Sequence, residues 1–346
     1  MAQHPTEDAP DRAVGGVPLP RITSADVARE SGVSRTTVSY VLNDTAGAMI
    51  SEETRRRVRA VADRLGYAPS AAARALRSGR SDLVLCALPD WPVGPVIDAL
   101  LDHLTEELAV RDLSVLVYHC RGHRPLSDLW RAVTPRAVVG FTAFTAEEED
   151  GMRRAGIQVL GTVQDEDLRR PGAFAVPQMQ VGRLQVQHLA AQGHRVLGYA
   201  APTDPRVAGF AAPRLAGVRQ ECRRSGLPAP RVQPVDVSAD SGAAAVRAWR
   251  TGSSPATAVA AYNDEVALAV LAGLRAEGLR VPQDVAVIGV DDVPAGRLSA
   301  PPLTTVSQSV DLQARFLSAA VVAALDGAPE PPHPADVLRL VVRESA

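Results

Sequence analysis

Between Ser24 and Asn43 the chain reads as two short helices joined by a tight turn. Val27 and Ala28 form an apolar step on the first helix. Gly32, which lacks a Cβ, accepts the positive φ that such a turn needs, and Val33 plugs the space behind it. Ser34 is placed to cap the second helix, its hydroxyl accepting a free backbone N–H. Val38, Val41 and Leu42 recur at i, i+3 and i+4 and mark the buried face. Arg35, Thr36, Ser39 and Tyr40 are left on the other face. This is the layout of a helix-turn-helix, whose second helix offers its N-terminal side chains to base edges in a major groove. An ordinary three-helix bundle can contain the same pattern. A third helix is expected from Ser51, with Glu52 and Glu53 complementing its dipole, Val58, Val61, Ala62 and Leu65 as its stripe, and Gly66 as its stop.

Charge separates this head from the rest. Residues 21–80 hold 11 Arg against 6 acidic residues, whereas residues 81–346 hold 25 against 30, within a chain whose formal net charge is −2. A basic head on an acidic body points to the head as the part that meets a polyanion. The 346 residues suffice for two or three domains, and 46% hydrophobic content is ample for their cores. Residues 1–20 are polar, bear Pro and Gly, and lack the apolar segment of a secretory signal, so they are expected to be a disordered extension. No run approaches the roughly 18 apolar residues of a membrane span. Cys86, Cys120 and Cys222 are widely spaced and odd in number, which fits a reducing cytoplasm without structural disulfides.

Tyr67-Ala68-Pro69 closes the head, and 69–80 reads as a hinge. Ser70 can cap a helix there, alanines favour it and Gly79 ends it. About two turns are too few for a helix to stand alone in water, so a second copy, DNA or both would order it. Leu76, flanked by Arg74, Arg77 and Arg80, suits either a wedge that enters a minor groove or a linker residue packed on a neighbouring domain.

From Asp82 onward short apolar strands alternate with amphipathic helices. Strands are expected at 83–88, 113–118, 137–142 and 157–163, with a helix at 96–110. After Pro177 the rhythm restarts: helices at 181–191, 214–224, 242–250 and 265–277 alternate with strands at 196–200, 232–235, 258–261 and 285–290. Such alternation implies parallel sheets covered by helices on both faces. Two series imply two Rossmann-like α/β lobes with a cleft where strand ends meet, the place for a small ligand.

The head, the 67–69 joint and the Leu76 segment resemble the lac-repressor (LacI/GalR) family of bacterial transcriptional regulators. Gly193-His194-Arg195, Arg214-Leu215-Ala216-Gly217, Asn263-Asp264, Gly289-Val290-Asp291-Asp292 and Pro302-Leu303-Thr304-Thr305-Val306 extend the resemblance almost to the C-terminus. It implies a small all-α helix-turn-helix head (21–68), a hinge (69–80) and a periplasmic-binding-protein-like core (81–346). Lobe 1 would take about 81–176 and 306–328, and lobe 2 about 177–305 and 329–346. It further implies a cytoplasmic homodimer on a palindromic double-stranded operator, most often as a repressor, with a small-molecule effector altering DNA affinity. By motif position Arg35, Thr36 and Tyr40 would contact bases, with Arg35 suited to guanine. Ser34, Thr37, Ser39 and Asn43 would hold phosphates, and Ala73 and Leu76 would serve the minor-groove hinge. Arg214, Asn263 and Asp291 would bind the effector, with Trp91 and Phe144 lining the first-lobe side.

The chain departs from the family at Pro177-Gln178, where many members carry Asp-Asn, and near Val163 and Phe144, where the first lobe becomes less polar than a sugar site. An effector with an apolar or aromatic part, or none, is the resulting expectation. His119-Cys120-x-x-His123 offers only three ligands in a loop, and no metal is expected. Glu147-Glu148-Glu149-Asp150 reads as a solvated helix start. No P-loop, G-x-G-x-x-G after a strand or G-x-S-x-G is present, so neither a cofactor nor catalysis is expected. A transport-type binding protein and a sugar-processing enzyme are the alternatives; the basic head argues against the first and the missing nucleophile–base or metal set against the second.

Overall fold

The computed structural model describes residues 22–43, 45, 47–67, 81–122, 125–141, 144–161 and 176–346. The hinge segment, with Ala73 and Leu76, lies outside them, as do the N-terminal extension, Val163 and His123. The chain divides into two compact units at 79/80.

The first unit is built by its caps. α1 (Ser24–Ser31) ends at Gly32, whose φ of 67° is the left-handed turn conformation. α2 (Arg35–Leu42) is capped by Ser34, whose hydroxyl accepts the Thr37 N–H at 3.0 Å. α3 (Glu52–Leu65) is capped by Ser51 and closed by Gly66. Val27, Val38, Val41, Val58 and Ala62 are almost wholly buried together, while Leu42 packs on them only half-buried.

In the second unit β1 (Leu83–Leu88), α4 (Pro95–Ala109), β2 (Ser114–His119), α5 (Leu126–Val133), β3 (Ala137–Gly140), α6 (Ala146–Arg154) and β4 (Gln158–Gly161) form the first lobe. Its strands are all parallel, in the order β2-β1-β3-β4. The acidic run opens α6, with Thr145 and Glu148 forming a capping box. The second lobe follows with α7 (Gln178–Ala191), β5 (Leu197–Pro202), α8 (Ala208–Arg224), β6 (Arg231–Val235), α9 (Ala239–Arg250), β7 (Ala258–Ala261), α10 (Asp264–Ala276), β8 (Ala286–Val290), α11 (Pro294–Leu298) and β9 (Thr304–Ser307). Its sheet runs β10-β9-β8-β7-β5-β6, and β10 (Arg339–Val341) is its one antiparallel strand. α12 (Val310–Asp326) returns to the first lobe, where Phe316, Leu317 and Val321 join the core of Leu100, Leu104 and Val139. The crossing falls after Ser307, because Val306 is still laddered to Val290 of the second sheet.

Some expected boundaries move. The strand expected to reach 142 ends at Gly140, and that expected to reach 163 is described as far as Gly161. The helix expected from Arg214 begins six residues earlier, at Ala208, and continues through Pro213.

Glycine pairs set the helix spacing in the second lobe. A Cβ on Gly182 of α7 would overlap the Arg214 carbonyl oxygen, and one on Gly217 of α8 would overlap the Met179 carbonyl. Gly242 and Gly273 make the same reciprocal approach between α9 and α10. Main chain cannot yield as a side-chain tip can, so Gly182→Ala must separate α7 from α8. The expected cost is about 1–3 kcal/mol, the usual scale of overpacking, read as a lower urea midpoint with an unchanged slope.

Candidate functional site

The outer face of α2 carries the first candidate site. Arg35, Thr36 and Tyr40 are exposed, and their side chains make no hydrogen bond among the described residues. Tyr40 exposes 41% of its surface, a large cost for an aromatic ring without a partner. The other four polar side chains are engaged locally. Ser34 and Thr37 share a hydroxyl–hydroxyl bond of 2.9 Å, and the Asn43 amide donates to the Ser39 carbonyl at 2.5 Å. The arginines of α3 are partly structural. Arg57 donates to the Ser31 carbonyl at 3.1 Å, Arg55 to the Ala48 carbonyl, and Arg64 pairs with Glu30 at 2.5 Å. Part of the positive charge of the head therefore holds α3 to α1 and to the loop after α2.

The second candidate site is a cavity of about 290 Å³ between the lobes. It lies where the strand order of each sheet reverses, between β1 and β3 in one lobe and between β5 and β7 in the other. Loops diverge at such points and leave a crevice beyond the strand ends. Trp91 follows β1, Phe141 follows β3, Tyr262 and Asn263 follow β7, and Asp291 follows β8; all line the cavity.

Phe144 does not. It is buried on the opposite side of the first sheet, with Leu85, Trp130 and Met152. Because β3 stops at Gly140, Phe141 rather than Phe144 is the first aromatic side chain beyond the strand. Phe210 was also outside the expected set, since α8 starts before Arg214 and carries Phe210 one turn earlier. The Trp91 and Phe210 rings lie 4.8 Å apart, and Trp91 meets Phe141 edge-on at 6.4 Å.

Arg214 organises the polar wall. Only 3% exposed, it donates from Nε to Gln178 Oε1 at 2.7 Å and from Nη1 to the Tyr262 carbonyl at 2.8 Å. Its Nη2 lies 3.8 Å from Asp291 Oδ1, and its guanidinium sits 4.7 Å from the centre of the Tyr262 ring. Gln308 donates to Asp291, Gln178 donates to Gln308 at 3.2 Å, and Gln313 donates to the Gln308 carbonyl at 2.6 Å. Asn263 caps α10, its side-chain oxygen accepting the Val266 N–H at 3.0 Å. Its amide group makes only a long 3.4 Å contact with Glu265.

Behind this wall Asp264 is fully buried, accepting from the Thr305 hydroxyl at 2.7 Å and the Val293 N–H at 2.9 Å. Burial pushes its pKa up to about 7, aided by the negative charge of Asp291 and opposed by those two hydrogen bonds. Burial also raises Asp291, against the pull of Arg214 and Gln308. A carboxyl whose folded pKa is raised holds its proton more tightly folded than unfolded, so its contribution to stability grows as pH falls from 7 toward about 4. Asp264→Asn removes that titration. The melting-temperature difference between parent and variant is therefore expected to shift toward the parent as pH is lowered from about 8 to about 5.5; a constant difference would contradict it.

Comparison with known proteins finds relatives along nearly the whole chain. Residues 23–70 match the family described as "Bacterial regulatory proteins, lacI family", and residues 186–346 match a "Periplasmic binding protein-like domain". The HTH-type transcriptional regulator CelR of Thermobifida fusca is 30% identical over 342 residues, which is 94% of this chain and 98% of that protein. The ribose operon repressor of Escherichia coli K12 is 30% identical over 304 residues, 84% and 88% of the two chains. Among solved structures, the CelR–cellobiose complex is 27% identical, with a TM-score of 0.63 over 94% of this chain and all of that one. The lac repressor dimer bound to operator shares the fold, at 23% identity and a TM-score of 0.75, over 94% and 99% of the chains. With both domains matched in chain order and relatives 30% identical along nearly their whole length, the chain belongs to the lacI family of bacterial regulatory proteins.

Proposed function

We propose that this transcriptional regulator reads a palindromic operator as a homodimer and that a small molecule held between its lobes alters DNA affinity. The observation that carries the reading is the exposed trio Arg35, Thr36 and Tyr40, without a side-chain hydrogen bond among the described residues, on a well-capped second helix. Bases are read by side chains free to bond them, whereas phosphates are met by groups that fix register. Arg35 pairs with a guanine edge, Thr36 and Tyr40 read neighbouring bases, and Ser34, Thr37, Ser39 and Asn43 bond phosphates and fix register. Residues 1–20 form an extension, 21–68 the reading head, 69–80 the hinge and 81–346 the core. Ala73 and Leu76 enter the minor groove at the dyad. Arg214, Asn263, Asp291 and Trp91 contact the effector. Among the described residues no helix is long and apolar enough to cross a membrane, and the regulator works in the cytoplasm without a catalytic step.

The test is selection of random duplexes by the full-length protein near physiological salt, where nonspecific phosphate binding is weak. A palindrome with two half-sites about one helical turn apart is expected; purely sequence-independent binding would overturn the reading. On the selected site, Arg35→Ala is expected to relax preference at one symmetric base pair by about 1–3 kcal/mol. Leu76→Ala is expected to weaken that site far more than random DNA, since only the specific complex unstacks the central step. Equal losses on both would remove the wedge role.

A further inference from the structure

The lobes contribute unequally to the cavity. Of 3 Trp, 5 Tyr and 5 Phe in the chain, Trp91, Phe141, Phe210 and Tyr262 line this one space. On the first-lobe side the described wall is Trp91, Val93, Val96, Ile97, Phe141 and their apolar neighbours; its one amide, Gln313, donates to the Gln308 carbonyl. On the second-lobe side the strongest polar groups answer one another. Arg214 is taken up by Gln178, the Tyr262 carbonyl and Asp291, and Asp291 by Arg214 and Gln308. Asn263, whose amide protons are held only weakly by Glu265, and the Glu265 carboxylate are polar groups on this side placed to meet a ligand.

A saccharide carries hydroxyls around its whole ring. Seated here, those facing Trp91 and Phe141 would lose water without gaining partners among the described residues, a heavy penalty for each. A flat apolar ring would instead replace water against the touching Trp91, Phe141 and Phe210 side chains. An anionic end would find Arg214 engaged by Gln178 and the Tyr262 carbonyl, with Asp291 3.8 Å away, and would meet the Glu265 carboxylate.

Resting on the reading of this cavity as the effector site, we propose that its ligand is a ring compound with a flat apolar body and one neutral hydrogen-bonding end, rather than a sugar or a sugar phosphate. The ring lies against the aromatic side chains, and the polar end reaches Asn263 and Glu265.

The full-length protein is titrated calorimetrically with benzamide, with benzoate as its charged counterpart, and with glucose, ribose and cellobiose. The amide is expected to bind at least about tenfold tighter than the benzoate and every sugar, a difference of about 1.4 kcal/mol. Phe210→Ala is expected to weaken the amide at least about fivefold, which ties the binding to this cavity. A sugar or the benzoate binding as tightly as the amide would overturn the proposal. So would an amide titration that does not saturate, or one that Phe210→Ala leaves unchanged. Duplex selection is performed without ligand, so failure here with an intact operator preference removes the ligand class and leaves the regulator standing.

Discussion

A guanidinium buried to 3% exposure needs its charge and its donors answered by the protein around it. Arg214 draws on three separate parts of the core. Gln178 begins the second lobe, the Tyr262 carbonyl ends β7, and Asp291 ends β8. Through Gln308 and Gln313 the same set reaches the segment that leads back to α12 in the first lobe. The polar wall of the cavity and the crossing between lobes are thus one hydrogen-bonded assembly. A ligand that disturbs the wall acts on the crossing by direct contact.

The packing beneath supports this placement. Arg214 sits on α8 at the point where Gly182 of α7 approaches its carbonyl, so the helix spacing fixes where the guanidinium emerges. Asp264 performs a similar task from β7's end, tying the start of α10 to Thr305 of β9 and to the Val293 N–H. The head follows a different economy, in which hydroxyl caps and arginine–carbonyl bonds hold three short helices around a core of valines and alanines. Its recognition face is left free because the interior requirements are met elsewhere.

Much of this was readable along the chain. In the head every signal is local: Gly32, Ser34, Ser51 and Gly66 punctuate helices that form where the apolar spacing puts them. In the core the alternation of strands and helices implies the two lobes and puts Trp91 just past the first strand, while Asn263, Asp291 and Phe144 follow from the family resemblance. Phe141 lies outside that set, and it lines the cavity because β3 stops at Gly140. Phe210 was missed because α8 runs through Pro213, where a helix start had been the simpler reading. Gln178 stood out only as a departure from the family, and Gln308 carried no local signal at all. Their role exists only where segments 130 residues apart meet.

The most direct test of the central place given to Arg214 is hydrogen–deuterium exchange on the full-length protein and on Arg214→Met, which keeps bulk but removes the charge and its donors. Faster exchange is expected in the first turn of α7, in the 262–264 loop and in the 307–313 crossing, with α9 unchanged. Exchange altered only within α8 would show that the cavity wall and the crossing are held independently and would contradict the account.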